Sequence, residues 1–553
     1  MNDAIDPAPS ADDWDDRNFP RPEEQEFDRV VQRAISRRGF LRDAMVFGSG
    51  AALMGAMGVL APPVAQAQQT SRFAFTPIPT ATDGNVHVPQ GYTWQALVRW
   101  GDALFSEAEG NFDHATGGST AMSDRVFGEN TDGMELFVTG GRQFLAVNHE
   151  YTNPVTNLPQ ATGGVPRSAE DVRKLQNLQG VSIFEIAEGE EGWQVVVDSP
   201  FNRRITHNTR MRLSGPAAGH ELMKTSADPS GTESLGTMNN CGAGKTPWGT
   251  YLTCEENFNG YFGSTAPLQD QKPNVPVDGY ARYGISAPGW GYDYHKWDAR
   301  FDTAENPNEP HRVGYVVEID PSNPASTPIK RTALGRFKNE NAAIVLAPDG
   351  RVVVYSGDDE RGEFLYKWVS RDVYVPGGDT STLLEEGTLY AASFADDQRG
   401  RWLALTPETT GMSRAEIAIF TRMAASEVGA TTMDRPEWVA VSPVSIEAYC
   451  SLTNNRNRGV KAIAGGDSQP VGGPNPRAEN HYGQVVRWRP VNGDHATDEF
   501  EWDLYVMAGN PTVHEDRYGG SENINEGNLF NSPDGMQVDS TGIIWLQTDG
   551  DDS

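Results

Sequence analysis

Short hydrophobic runs bounded by Gly, Pro, Asp or Asn recur along the chain after about residue 90. They are rich in Val, Ile, Tyr and Trp, as β-strands are. Helical signals are confined to 168–177 and 413–425, where Ser168 and Ser413 are candidate N-caps. The pattern therefore predicts an all-β protein with a few short helices and with strands at 136–147, 181–186, 193–197, 313–319, 352–355, 364–369, 484–488 and 543–547.

A weak internal repeat connects four of these runs. In each, a tight turn leads into a hydrophobic strand that ends on acidic residues, at 140–150, 248–256, 347–360 and 532–552. Turn-and-strand units repeated at long intervals are typical of a β-propeller, in which equivalent strand ends meet at one mouth of the central channel. Gathered carboxylates repel one another unless cations neutralise them, so the repeat predicts a metal centre. For any single turn, an exposed acidic hairpin is the simpler interpretation.

Three segments are rich in turn-forming residues, at 263–312, 371–400 and 464–480, and we expect long loop insertions there. The 58 glycines and 36 prolines among 553 residues agree with many short strands joined by turns. The chain stops at 551–553, directly after a predicted strand. Because a propeller closes its last blade against its first, we expect a truncated C-terminus.

The first 67 residues have the order of an export signal. Arg37 and Arg38 precede a small, apolar stretch at 44–60, and Ala65-Gln66-Ala67 follows as a cleavage site. Twin arginines mark the Tat route, whereas the glycines and prolines of the stretch disfavour a membrane-spanning helix. We expect a Tat signal peptide at 1–67, read by the Tat translocase. Residues 68–553 would then form one periplasmic or secreted propeller domain without a stable membrane span, and a self-contained propeller would be a monomer.

The net charge of −31 argues against a nucleic-acid partner, because so acidic a surface repels phosphate backbones. Three cysteines, at 241, 254 and 450, are too few for a disulfide framework. Cys254 and Cys450 are interpreted as buried structural thiols. His149 is also interpreted as structural, since no His-x-His or His-Glu-x-x-His spacing occurs among the ten histidines.

The segment 240–257 combines a thiol with carboxylates. Cys241 stands in a Gly- and Pro-rich loop, and the strand that follows ends on Glu255 and Glu256. A thiolate and carboxylates held close together supply mixed sulfur and oxygen metal ligands. Gly244-Lys245-Thr246 resembles the end of a phosphate-binding P-loop, but position 239 is Asn where that motif requires Gly, and Pro247 prevents the helix.

Several motifs together resemble the PhoX-type alkaline phosphatases, and those that follow the signal span about 148–553. They are the twin-arginine signal, Asn148-His149-Glu150-Tyr151, Cys241-Gly242-Ala243-Gly244, Thr246-Pro247-Trp248-Gly249-Thr250, Cys254-Glu255-Glu256-Asn257, Asn339-Glu340-Asn341-Ala342, Tyr355-Ser356-Gly357-Asp358-Asp359, Arg435-Pro436-Glu437-Trp438 and Ser532-Pro533-Asp534-Gly535.

The resemblance implies a propeller that carries calcium and ferric iron at its centre and hydrolyses small phosphate monoesters. It implies that Cys241 binds iron, that Arg435 holds the phosphate and that Arg435 and Glu437 are the catalytic residues. The implied metal ligands are Cys241, Glu256, Glu340, Glu437 and Asp534; the chemistry of their side chains adds Glu150, Asp359 and Glu526.

Phosphate-ester cleavage independently requires positive charge near the phosphoryl oxygens, which metal ions and a lone arginine can supply to an acidic protein. Pro436 favours an extended backbone at Arg435, and a planar guanidinium suits bidentate phosphate binding. A salt bridge from Arg435 to a neighbouring acid is the alternative.

Two other functions stay open at this point. The same metal centre could hydrolyse phosphodiesters. The chain could instead be a non-enzymatic calcium-binding propeller that serves as an interaction module.

Overall fold

The computed structural model describes residues 75–79, 81, 83–190, 192–268, 277–463 and 467–550, so the predicted signal peptide and residues 551–553 lie outside the described residues. The chain divides into two compact units. Among the described residues, the larger comprises those within 96–513 and 517–550, and the smaller comprises those within 75–95 and 514–516. In the smaller unit the Phe75 and Tyr92 rings meet edge to face at 5.9 Å. None of the helices in the described ranges is long and apolar enough to cross a membrane.

The described residues are predominantly β, in agreement with the predicted class. Their strands are β1 Thr131–Thr139, β2 Arg142–His149, β3 Gly180–Gly189, β4 Gly192–Val195, β5 Arg203–Ile205, β6 Arg210–Ser214, β7 Glu233–Leu235, β8 Asn240–Lys245, β9 Tyr251–Glu255, β10 Val316–Ile319, β11 Ile329–Arg331, β12 Ala343–Leu346, β13 Arg351–Gly357, β14 Leu365–Val373, β15 Gly387–Phe394, β16 Arg399–Leu405, β17 Pro436–Val441, β18 Ala448–Leu452, β19 Gln484–Pro490, β20 Glu499–Met507, β21 Pro533–Val538 and β22 Ile544–Thr548.

These strands form four sheets, and all neighbours are antiparallel except β6 and β11. The first sheet has the order β1-β2-β3-β4, with β5 also paired to β3. The second has the order β7-β6-β11-β10-β9-β8, and the fourth is the pair β21-β22. The third is a nine-stranded sheet of order β12-β13-β14-β15-β16-β20-β19-β18-β17. Aromatic side chains fill its core, where Tyr355 packs against Trp402 and Trp488.

The helices are short, as predicted: α1 Pro154–Asn157, α2 Ala169–Leu178, α3 Val277–Arg282, α4 Pro407–Thr410, α5 Arg414–Ile419 and α6 Thr421–Glu427. The Ser168 side chain accepts a hydrogen bond from the Asp171 N–H and caps α2. Ser413 and Glu416 form the predicted capping box of α5. The predicted helix at 413–425 is two helices, because Phe420, at φ −117° and ψ 46°, leaves the helical conformation between α5 and α6.

Two other predictions need correction. The strand predicted at 136–147 spans parts of β1 and β2, since Gly140 and Gly141 adopt φ 59° and 78° and turn the chain into a hairpin. The segment 371–400 is not a loop throughout, because it contains β15, which pairs with both β14 and β16.

Five hairpins share one irregularity. In β1–β2, β8–β9, β17–β18 and β21–β22, one extra residue in the first strand shifts the register immediately after the first pair. In β12–β13 the bridge Asn339↔Asp358 is shifted by one residue from the pair Ala343↔Tyr355. A bulge of this kind bends a strand and redirects a side chain. The first strand of each of these five hairpins therefore begins with a side chain aimed differently from those of the regular ladder.

Consecutive hairpins are held together beside these bulges. The Asn148 amide donates to the Cys241 carbonyl at 2.5 Å, and the Ser451 hydroxyl donates to the Asp534 carbonyl at 2.5 Å. At the equivalent position of β13, a Cβ on Gly357 would lie 2.3 Å from the Glu437 carbonyl oxygen, so a side chain has no room there. These contacts join each of the three first strands to the hairpin before it and fix where its bulge lies.

Candidate metal centre

Each of the five bulged hairpins contributes a metal-ligating type of side chain near the start of its first strand. In four of them the residue two positions earlier has a left-handed backbone, at Asn130, Asn239, Arg435 and Ser532, with φ between 45° and 55°. Such a conformation is uncommon for residues other than glycine and is typical of functional sites. The five side chains that follow are Asp132, Cys241, Glu340, Glu437 and Asp534.

The second strands supply a matching set. In each hairpin, the N–H of the residue just beyond the register shift donates to the carbonyl two residues before the first-strand ligand, at 2.9–3.2 Å. The residues that donate are Glu150, Glu256, Asp359, Thr453 and Asp549. Four of these five equivalent positions are acidic. We refer to the nine acidic and thiol side chains together as the acid ring: Asp132, Glu150, Cys241, Glu256, Glu340, Asp359, Glu437, Asp534 and Asp549.

Two overlapping groups within the acid ring have the spacing of metal ligands. One ligand atom each from Cys241, Glu256 and Glu340 lie within 4.8 Å of one another, and so do those of Glu340, Glu437 and Asp534. Glu340 belongs to both groups. The Cys241 Sγ also lies 3.3 Å from a Glu340 carboxylate oxygen and 3.4 Å from an Asp132 carboxylate oxygen. The geometry therefore brings together oxygen donors and one sulfur donor around more than one point.

Burial and mutual repulsion raise the pKa values of this cluster. The pKa is well above its usual value for Glu150, Glu256, Glu340, Glu437 and Asp534, first because of burial and then because of neighbouring carboxylates. The same causes raise the pKa of the Cys241 thiol. For Asp132, burial is the main cause of a pKa of about 6. These groups do not stabilise one another's charged forms, so they would be ionised only beside positive charge.

The hydrogen bonding of two ring oxygens is a second indication that the ring requires positive charge. Glu256 Oε1 and Asp534 Oδ1 are buried, and neither has a hydrogen-bond partner within the described residues. A buried acceptor without a partner costs free energy, so such atoms usually bind something else. The donor set of many carboxylates and one thiol fits hard cations together with a metal that accepts sulfur.

Arg435 faces the ring but differs from its expected conformation. Its φ of +55° is left-handed, so the extended backbone predicted from Pro436 is wrong. Its Nε and Nη2 atoms donate to both oxygens of Asp359 at 2.7 and 2.8 Å, and Nη2 lies 3.4 Å from Glu437. This ion pair holds the pKa of Asp359 below its usual value although burial acts to raise it. Tertiary contacts outweigh the local preference imposed by Pro436, and the salt-bridge alternative is present in the structure.

Most of the predicted site residues meet in the acid ring, and the four acidic strand ends converge as expected. Glu526 does not belong to this cluster; it lies exposed in a turn before β21. His149 is buried with its Nε2 2.7 Å from the Ser182 hydroxyl, which agrees with a structural role. Cys254 and Cys450 are buried free thiols. The Gly244-Lys245-Thr246 segment runs through the end of β8 and opens no helix, so the P-loop remains excluded.

Sequence reasoning did not name Asp132, and it included Asp549 only as one of the acids that end the fourth repeat. Asp132 stands 109 positions before Cys241, close to the separations of 97–99 between the later first-strand ligands. Asp549 lies in the last of the four acidic strand ends and interacts electrostatically with Asp132, Glu150 and Asp534. The roughly hundred-residue spacing was the signal that could have identified Asp132.

Comparison with known proteins places this chain, with its bulged hairpins around buried carboxylates, in a known class of hydrolases. The family model of alkaline phosphatase PhoX matches residues 73–553. The solved structure of Pseudomonas fluorescens PhoX in complex with vanadate, a transition state analogue, is similar with a TM-score of 0.80 and 49% sequence identity, covering 87% of this chain and 84% of that one. No curated protein matches the chain.

The chain belongs to the PhoX family of alkaline phosphatases. It is therefore a phosphatase, as the sequence motifs implied, and the acid ring is its candidate active site.

Proposed function

We propose that the chain is an exported phosphatase that hydrolyses small phosphate monoesters at a centre of calcium and ferric iron held by the acid ring. The observation that carries this proposal is the pair of overlapping ligand groups that share Glu340, one with the thiol of Cys241 and one formed by oxygen donors alone. Oxygen-only sets suit calcium, and a thiolate beside carboxylates suits iron.

The donor chemistry assigns ligands to the two kinds of metal. Cys241, Glu256 and Glu340 would hold iron, whereas Glu340, Glu437 and Asp534 would hold calcium. Glu150, Asp359, Asp132 and Asp549 are further oxygen donors of the same ring. When bound, the metal ions would supply positive charge that phosphoryl oxygens require in a chain of net charge −31.

The side chains of the protein have their own roles in this proposal. Arg435 presents a planar guanidinium beside the ring, and we assign it to the phosphoryl oxygens, for which a fork of N–H donors is well suited. Glu437 lies 3.4 Å from Arg435 and helps to orient the guanidinium. The solved relative binds vanadate, a transition state analogue. By similarity, we infer that this ring stabilises a phosphoryl group during transfer.

The remaining parts of the proposal concern architecture and location. Five hairpins with the same bulge, joined in chain order beside one acidic centre, support a β-propeller. The twin arginines at 37 and 38 support export through the Tat translocase and a periplasmic or secreted location. Because a propeller is self-contained, we propose that the protein is a monomer.

Hydrolysis of a chromogenic phosphate monoester at alkaline pH, with and without a calcium chelator, tests the activity and its metals. We expect the chelator to abolish turnover and added calcium to restore it, and elemental analysis to find iron and calcium in the purified protein. A matched phosphodiester substrate tests the alternative activity, the hydrolysis of phosphodiesters. Faster turnover of the diester would replace the monoesterase by the diesterase, and a folded, metal-loaded protein inactive on both would contradict the proposal.

A further inference from the structure

The five hairpins are equivalent in backbone but not in charge. In each hairpin, one carbonyl accepts a hydrogen bond from the second-strand N–H described above. In successive hairpins this carbonyl belongs to Asn130, Asn239, Lys338, Arg435 and Ser532. The two cations thus occur in neighbouring repeats. The fourth repeat also carries Thr453 where the other four have an acid. One side of the ring therefore combines both cations with the missing carboxylate, and we call Lys338, Arg435 and Thr453 the cationic sector.

Lys338 is buried beside the ring. Its Nζ lies 2.8 Å from Glu360 and 5.5 Å from the centre of the Trp290 ring. Burial raises the pKa of Glu256, and the charge of Lys338 opposes that rise; it also helps to keep the pKa of Asp359 low. Lys338 therefore acts electrostatically on ring carboxylates from two different hairpins.

Thr453 is the neutral member of an otherwise acidic set. It is buried, and its N–H donates to the Arg435 carbonyl at 3.2 Å, as the N–H of Asp359 donates to Lys338 at 3.1 Å. An acid at this position would stand against the backbone of Arg435, as Asp359 stands against that of Lys338. A neutral residue at this position removes one carboxylate that would otherwise repel a phosphate dianion, because like charges nearby in a site of low dielectric are costly.

We propose that the phosphoryl group binds the acid ring on the side of the cationic sector, where Lys338 is a second phosphate-directed cation beside Arg435 and Thr453 stands where the other hairpins place a carboxylate. This inference rests on the proposed function and identifies which side of the site receives the anion. Lys338 is placed as a positioning residue that favours anion binding through the local field.

The sharpest test compares Thr453→Asp with Thr453→Asn, which have nearly the same size but differ in charge. The readout is the affinity for orthovanadate, measured by calorimetry as well as by inhibition, with metal content determined on the same samples. We expect Thr453→Asp to weaken vanadate binding at least about tenfold through like-charge repulsion, while Thr453→Asn stays within about threefold of wild type. Thr512→Asp, an exposed change of equal charge, controls for net charge.

Lys338 is tested by Lys338→Met and the charge-conserving Lys338→Arg. Lys338→Met should raise the vanadate dissociation constant and KM several-fold with a smaller change in kcat, and Lys338→Arg should restore most of the loss. If Lys338 had only a structural role, Lys338→Met would change the melting temperature and kcat without a larger change in KM than in kcat.

Equal vanadate affinity in Thr453→Asp and Thr453→Asn would overturn the inference, as would a Thr453→Asp protein that gains a metal ion and keeps its anion affinity. Lys338→Met binding vanadate as wild type does would remove Lys338 from the proposal. Calorimetry does not depend on turnover, so an inactive wild-type protein would refute the proposed function while the comparison of affinities still decides the inference.

Discussion

Replacing Arg435 by alanine separates the two roles that its position allows. As an ion-pair partner, Arg435 makes two charge-assisted hydrogen bonds to Asp359 and a longer contact to Glu437. As a phosphate ligand, it would act only when an anion is present. The first role predicts a loss of stability, whereas the second predicts a loss of anion affinity and turnover.

The magnitudes follow from the surroundings of the guanidinium. Its partner Asp359 is buried, and removing one member of a buried ion pair costs about 3–5 kcal/mol. Removing one donor from a preorganised charge-stabilising site lowers kcat about 10²–10³-fold, which corresponds to about 3–4 kcal/mol. For Arg435→Ala we therefore expect a lower melting temperature, a fall in kcat of at least about a hundredfold and weaker vanadate binding.

The assay pairs unfolding with kinetics for Arg435→Ala and Arg435→Lys. Arg435→Lys keeps the charge but not the planar fork, so it should recover part of the stability and little of the vanadate affinity. Measurements are made well below each melting temperature, which keeps both variants folded. If Arg435→Ala loses stability yet binds vanadate and turns over substrate as wild type does, Arg435 serves only Asp359 and its assignment to phosphate is refuted.

Two further predictions concern Cys241 and Lys367. Cys241→Ala should lose iron and the visible thiolate-to-iron absorption, whereas Cys254→Ala, which removes another buried thiol, should keep both; unchanged iron in Cys241→Ala contradicts the ligand assignment. Burial lowers the pKa of Lys367 to about 7, below its unfolded value, so the unfolded chain binds more protons between the two values and stability rises with pH there. Wild type should gain about 1 kcal/mol per pH unit relative to Lys367→Met between pH 7 and 9 in denaturant unfolding; parallel curves would contradict the shift.

The second-strand half of the acid ring could be predicted because its signal is local. A turn, a hydrophobic strand and a terminal acid lie within about a dozen residues, as in 347–360, and each such unit can be recognised by itself. Strand pairing then places equivalent ends together. Glu150, Glu256 and Asp359 were accessible to this reasoning, whereas the exposed Glu526, which ends no such strand, shows that an acid without the pattern is a poor candidate.

The first-strand half could not be predicted in the same way. Asp132 precedes its hydrophobic run, and the bulge that follows removes the alternation by which a strand is recognised. The left-handed backbone of Arg435 could not be predicted from the sequence for a related reason. The rule for residues before proline describes local sterics, whereas here the contacts to Thr453 and Asp359 decide the conformation.

The same bulge explains why so much negative charge can be brought together without unfolding the protein. A regular strand would place alternate side chains in the core, but the extra residue in each first strand aims one side chain at the ring and leaves the rest of the strand to pack normally. The carboxylates are thus carried by rigid hairpins whose hydrophobic residues stabilise them independently of the site. Their repulsion remains in the folded state as raised pKa values, and this stored repulsion is what favours binding of cations. In the proposed function, the backbone repeat places the metal ligands, and the departures from it at Lys338, Arg435 and Thr453 lie on the side of the ring assigned to the anion.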